Sequence, residues 1–275
     1  MVEEREKFIQ VKEVIRNKSP KLAKWIPKPL MKYLERTIHQ DDINDIMYRF
    51  RDLKGLDFVD ALIDDLGVDV VLEGKENIPL DDSVIFASNH PLGGLDGIAF
   101  MQAIGRVRRD VKFLVNDILM NVVNLEPLFV GVNKIGGQNK NAVSVIEQAY
   151  ASDHALLVFP AGLVSRKIDG NIVDLEWKKS FVSKAKKYKK DIIPVYIDGK
   201  NSNFFYNLSK WRNKLGVKFN IEMLYLVDEF FAQRNQRVTI RVGERISYEK
   251  FTTSKSEKQW AAEVKQLVYE LKTQK

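Results

Sequence analysis

No cysteine occurs among the 275 residues. Its absence excludes disulfides, thiolate metal sites, iron–sulfur clusters and a cysteine nucleophile together, and fits a reducing compartment. Histidine is nearly as scarce. His39, His90 and His154 are the three present, too scattered for the His-x-x-His or His-x-x-x-His pairs that hold catalytic zinc. No metal is therefore expected. Long apolar runs are also missing: the longest, at 155–159 and 192–197, fall far short of the roughly 20 residues that cross a bilayer. The first residues mix both charge signs at short intervals, unlike the apolar core of a secretory signal. A cytoplasmic location is expected.

What is present supports one substantial core with a smaller appendage, since 45% of the chain is hydrophobic. The formal net charge of +7 makes an anionic partner plausible. Phospholipid headgroups, nucleic acid and acidic carrier proteins qualify equally at this level.

Residues 1–67 read as a helical, membrane-associating segment ahead of a catalytic domain at 68–275. Ile43, Ile46, Met47, Phe50 and Leu53 share a helical face after the capping candidates Asp41 and Asp42, with Gly55 as the stop. A second helix over 58–66 ends at Gly67. Before them Lys21, Lys24, Lys28 and Lys32 alternate with Trp25, Ile26, Leu30, Met31 and Leu34, while Pro27 and Pro29 forbid one continuous helix. This stretch is either interfacial or an ordinary surface whose lysine stems cover apolar neighbours.

From residue 68 onward, short β-branched runs at 68–72, 84–87, 111–115, 128–132, 155–159 and 192–197 alternate with stretches of helical periodicity. That alternation predicts an α/β fold with a largely parallel central sheet flanked by helices. Residues 221–231 are ambiguous, with helix favoured; 237–242 reads as a last strand, and Trp260, Val264, Leu267, Val268 and Leu271 as the core stripe of a C-terminal helix.

The stretch 84–97, VIFASNHPLGGLDG, places a histidine, a glycine pair and an aspartate between a buried strand and a helix. Ligands of open α/β sheets bind at this position. Gly93 and Gly94 permit a tight turn, so that Asp96 can fold back onto His90 and leave the other ring nitrogen free as a general base. The bland alternative is a locally satisfied histidine with Asp96 as a helix cap.

That alternative loses ground because further blocks follow in order. GVNKIGG at 131–137, FPAGLVSR at 159–166 and IIPVYIDGKNSNFFY at 192–206, together with NHPLGGLDG, resemble the lysophosphatidic acid acyltransferase superfamily. The likeness is greatest to its haemolysin-like branch, which includes acylation of ornithine and other amino-acid lysolipids, and it runs from about residue 72 to 247. Two departures mark this chain: five residues separate His90 from Asp96 where the family commonly has four, and Ala161 stands where the third block commonly has glutamate.

The resemblance implies a fatty acyl transfer from a thioester of acyl carrier protein or coenzyme A to the hydroxyl of a lysolipid, with no other cofactor. His90 and Asp96 would be catalytic. Asn89, Gly93, Gly94, Lys134, Pro160, Gly162 and Arg166 would contact substrate, Lys134 and Arg166 at an anionic headgroup or else as solvated charges. Backbone N–H groups near Gly93, Gly94 or Gly162 are unranked candidates for the oxyanion. A non-catalytic lipid-binding protein and a thioesterase are the alternatives on the same fold.

The lysine-rich stretch 177–190 holds seven lysines on a helical pattern with Phe181, Ala185 and Tyr188 inward. It is either a solvated face or a surface drawn to anionic lipid or an acidic carrier. Phe204, Phe205, Tyr206, Trp211, Arg212 and Lys214 could extend that surface. No nucleic-acid partner is expected, since no helix-turn-helix, RNA-recognition motif or zinc finger is present. The glycines of 131–137 lack the lysine and hydroxyl residue of a P-loop, and Ser165 lacks the setting of a nucleophile elbow.

Overall fold

The computed structural model describes residues 7–115, 122–131, 140–216 and 220–273. Five helices come first: α1 (Val11–Lys18), α2 (Pro20–Trp25), α3 (Lys28–Thr37), α4 (Gln40–Arg49) and α5 (Leu56–Leu66). Then follow β1 (Asp69–Glu73), β2 (Val84–Ser88), α6 (Gly94–Gly105), β3 (Val111–Val115), β4 (Phe129–Gly131), α7 (Lys140–Ala151) and β5 (Ala155–Val158). A hairpin β6 (Arg166–Ile168) and β7 (Asn171–Val173) leads to α8 (Ser180–Tyr188), β8 (Asp191–Asp198), α9 (Asn203–Lys214), α10 (Leu226–Ala232), β9 (Arg237–Val242) and α11 (Glu257–Glu270).

Seven strands form one sheet in the order β1-β9-β8-β2-β5-β3-β4, and every neighbouring pair is parallel except β8 with β9. Strand β2 sits in the middle, and all five of its residues are buried. Successive side chains of a strand point to opposite faces. Val84 and Phe86 accordingly join a core with Phe58, Ile63 and Phe100 of α5 and α6, while Ile85 and Ala87 join Phe181, Val264 and Val268 of α8 and α11 on the other side. A strand covered on both faces needs a continuous apolar run, and that run made the parallel sheet readable in advance.

Several boundaries differ from the sequence expectations. Helix α4 starts after His39, whose φ of 51° is left-handed, so Asp41 and Asp42 occupy the first turn and not the cap. Leu53 lies beyond the helix end, and Gly55 precedes α5. The proline break is present between Trp25 and Lys28. Residues 221–225 form one 3-10 turn that runs into α10. The hairpin of β6 and β7 was not anticipated: its strands are three residues each and partly exposed, so they carry no apolar alternation. Among the described residues no helix is long and apolar enough to cross a membrane.

Candidate active site

Strand β2 delivers Asn89 and His90 to the carboxyl edge of the sheet, between β8 and β5. Asn89 is buried and its amide is committed to β8: Nδ2 donates to the Ile197 carbonyl at 2.9 Å, and Oδ1 accepts from the Ile197 N–H at 2.7 Å. Its amide is therefore a clamp behind His90, where the sequence expectation was a contact with substrate.

The chain turns at Gly93, where φ is 83°, a conformation that glycine adopts without the cost a Cβ would bring. The turn absorbs the extra residue in the His90 to Asp96 spacing. Both Asp96 oxygens lie 3.0 Å from His90 Nδ1. Oδ2 also accepts the Leu92 and Gly93 N–H groups at 2.8 and 3.2 Å, so Asp96 caps its own helix and holds the ring at once. A carboxylate at a helix N-terminus sits at the positive end of the helix dipole. Since an ionised carboxylate only accepts, the shared proton belongs to Nδ1, and Nε2 keeps its lone pair. Asp96 is 0% exposed and the His90 side chain 17%, which leaves the imidazole reachable and its partner dry.

Phe159, at the end of β5, stacks on the imidazole with centroids 4.1 Å apart and planes 18° from parallel. Phe113 meets Phe159 edge-on at 5.3 Å. The backbone of His90 is fixed as well: its N–H donates to Asp174 Oδ1 at 3.2 Å and its carbonyl accepts from Ser165 N–H at 2.8 Å. Ser165 Oγ donates to the same Asp174 oxygen at 2.5 Å and Trp177 Nε1 to the other at 2.8 Å. Burial pushes the Asp174 carboxyl above its ordinary range, and the donors Ser165 and Trp177 pull it back. Asp174 escaped sequence reading, because an isolated residue in a loop carries no periodic signal; Phe159 and Trp177 were read only as ends of an apolar run and a lysine-rich stretch, without a link to His90.

The Pro160 carbonyl accepts from Lys178 N–H at 3.0 Å, and Gly162, at φ 66°, donates its N–H to the Phe159 carbonyl at 3.0 Å. With the Gly93 amide held by Asp96, Gly94 is the expected oxyanion donor that stands in the first turn of α6, where N–H groups have no intrahelical acceptor. Arg166 is half-buried, and its guanidinium donates to the Val164 carbonyl at 2.6 Å and to Glu222 at 3.4 Å. Lys134 lies outside the described residues.

The surface expectations divide. Phe204 and Trp211 are exposed, whereas Phe205 and Tyr206 turn inward and Arg212 pairs with Glu222 at 2.8 Å. In α8, Phe181, Val182 and Ala185 pack inward and Lys184 and Lys187 bind Glu147; after the helix, Lys190 is buried on the Ser152 carbonyl at 2.5 Å. Several of the seven lysines thus serve local structure.

The sequence matches the Acyltransferase family over residues 13–275. The chain belongs to the acyltransferase family. This acyltransferase is 45% identical over 265 residues to the lyso-glycine lipid O-acyltransferase of Bacteroides thetaiotaomicron, covering 96% of this chain and 97% of that one. It is 40% identical over 265 residues to the lyso-glycine lipid O-acyltransferase of Phocaeicola vulgatus, covering 96% and 95%. The crystal structure of the 1-acyl-sn-glycerophosphate (LPA) acyltransferase PlsC from Thermotoga maritima superposes with a TM-score of 0.52 at 21% identity over 89% of each chain. That likeness shows the common fold: a mostly parallel sheet between helices, as the sequence had indicated.

Proposed function

We propose that this acyltransferase moves a fatty acyl group from a thioester to the hydroxyl of a lysolipid with an amino-acid headgroup, glycine being the foremost candidate. The observation that carries the mechanism is the His90 ring held at 3.0 Å by buried Asp96, at the ligand-binding edge of the sheet. His90 Nε2 takes the proton of the acceptor hydroxyl as its oxygen attacks the thioester carbonyl carbon. Asp96 stabilises the imidazolium, and the Gly94 N–H with the dipole of α6 favours the oxyanion. Collapse of the tetrahedral intermediate breaks the C–S bond, and the imidazolium returns the proton to the departing thiolate. No covalent acyl-enzyme is needed.

Arg166 and Lys134 serve the acceptor headgroup, and the donor is an acyl thioester of acyl carrier protein or coenzyme A. The enzyme works peripherally on the cytoplasmic face of the plasma membrane. Trp25, 84% exposed and flanked by exposed Lys24 and Lys28, supports this placement, because basic and aromatic side chains together favour an anionic interface. Combining Trp25→Ser with Lys24→Glu and Lys28→Glu should lower sedimentation with phosphatidylserine vesicles; unchanged binding would remove the N-terminal segment from the contact.

Thiol release from long-chain acyl thioesters tests the reaction, and the protein has no cysteine of its own to react with the thiol reagent. Release should require a lysolipid and disappear in His90→Ala. Release without any acceptor would make the protein a thioesterase.

A further inference from the structure

Helix α9 has two apolar faces, and one of them is left uncovered. Phe205 and Tyr206 turn inward and pack with Val164 and Leu226, the side chains that stand closest to where a Cβ on Gly93 would sit. Phe204, Leu208, Trp211 and Leu215 recur at intervals of four, three and four, which lines them up as one stripe facing away from that cluster. The Leu215 N–H still donates to the Trp211 carbonyl at 2.9 Å, so the stripe continues through the last turn. Phe204, Trp211 and Leu215 are 53%, 67% and 73% exposed, and Leu208 is half-buried. Single exposed apolar residues are ordinary on a protein surface, but an uncovered stripe of this length marks a contact surface.

Its surroundings indicate what it contacts. Exposed Lys210 and Lys214 flank the stripe, and no acidic residue occurs between 203 and 216. The helix follows the carboxyl end of β8, the neighbour of β2, so the stripe begins at the edge of the sheet that holds His90. It is also continuous with the N-terminal segment. Phe204 meets the Tyr225 ring edge-on at 5.0 Å, and the Tyr225 hydroxyl shares a hydrogen bond of 2.7 Å with that of Tyr33 in α3, which exposed Trp25 and Leu30 precede in the chain.

We propose that the outer face of α9 is a second membrane-seating element, laid on an anionic bilayer beside the N-terminal segment. The inference rests on the peripheral-membrane reading above and adds to it a helix that packs against the catalytic turn. Aromatic and aliphatic side chains enter the boundary between headgroups and acyl chains, while the lysine stems let their ammonium groups stay with the anionic headgroups. A second copy of the chain would instead bring lysines against lysines, in a molecule whose formal net charge is +7.

The experiment uses the tryptophans themselves. Of the four, Trp177 and Trp260 are buried, so Trp25→Phe leaves Trp211 as the exposed one. On mixing with vesicles of phosphatidylserine and a phosphatidylcholine brominated in its acyl chains, this variant should show blue-shifted emission and quenching by bromine, both lost when Trp211→Phe is added. Combining Trp211→Ser with Leu215→Ser should lower the vesicle partition coefficient by about tenfold or more, the loss expected when two large apolar side chains no longer leave water. If that pair does not fold, the quenching measurement decides. Vesicle binding by Trp25→Phe without quenching, or a folded serine pair that binds as wild type does, overturns the proposal. So does a blue shift that needs no lipid: one that follows protein concentration makes the stripe a contact between copies, and one produced by acyl carrier protein alone makes it a carrier dock. Wild type that binds no anionic vesicle would overturn the peripheral-membrane reading itself.

Discussion

Two buried carboxylates hold His90, and they do so by opposite means. Asp96 grips the ring and is served by amides three and four residues before it. Asp174 grips the backbone from 84 residues away, and its other donors are Ser165, nine residues before it, and Trp177, three after. A local turn thus orients the reactive group, while a long-range network places the loop that carries it. The first arrangement is written in a short motif and belongs to the chemistry; the second depends on the whole fold and belongs to stability.

That division makes quantitative demands. His90→Ala and Asp96→Asn should lower kcat by about 10²–10⁴-fold, the range typical of a lost general base or its orienting partner, with melting temperature little changed for His90→Ala. A loss as large in Asp174→Asn, measured in the same thiol-release assay, would erase the distinction. Asp174→Ala should instead destabilise the fold by about 1–3 kcal/mol, because Ser165 and Trp177 lose their buried acceptor; urea unfolding measures it.

A subtler test uses pH. Burial lifts the Asp174 carboxyl above 3.8, so the fold favours its protonated form. That contribution is fully present below the unfolded value and is lost as pH rises through the folded one. The stability deficit of Asp174→Asn should therefore shrink as pH climbs above 3.8, and a deficit that widens would contradict the assignment. The smallest effect is expected far from both carboxylates. Glu147, half-buried and lowered from 4.5 to about 2 by Lys184, Lys187 and Tyr188, stabilises the contact of α7 with α8 above pH 4.5. This contribution fades as pH falls toward 2, and Glu147→Gln should leave neutral-pH activity unchanged.

The same contrast explains what could be read in advance. Strands β2, β3, β5, β8 and β9 announced themselves because burial forces their side chains to be apolar, and NHPLGGLDG because glycine and charge cluster within a few residues. Glu222 and Asp174 were silent: nothing in IEMLY or VDLEW says that the first acid will meet two arginines or that the second will hold a histidine backbone 84 residues away. His39 was equally opaque as the residue before α4, since its left-handed backbone goes with bonds to Asp42 and Asp228 at 2.8 and 2.9 Å and a stack on Phe231 at 4.4 Å. Asn89 was placed beside the substrate for its position in the motif, but its partner is a strand 108 residues away.

That asparagine has a mechanical consequence. By imitating a peptide group, the Asn89 amide adds one more rung between β2 and β8 after the backbone ladder has ended at Ser88 and Val195. The histidine therefore springs from an anchored post with no slack chain beneath it, and the positional error of its reactive nitrogen is inherited from the stiff middle of the sheet.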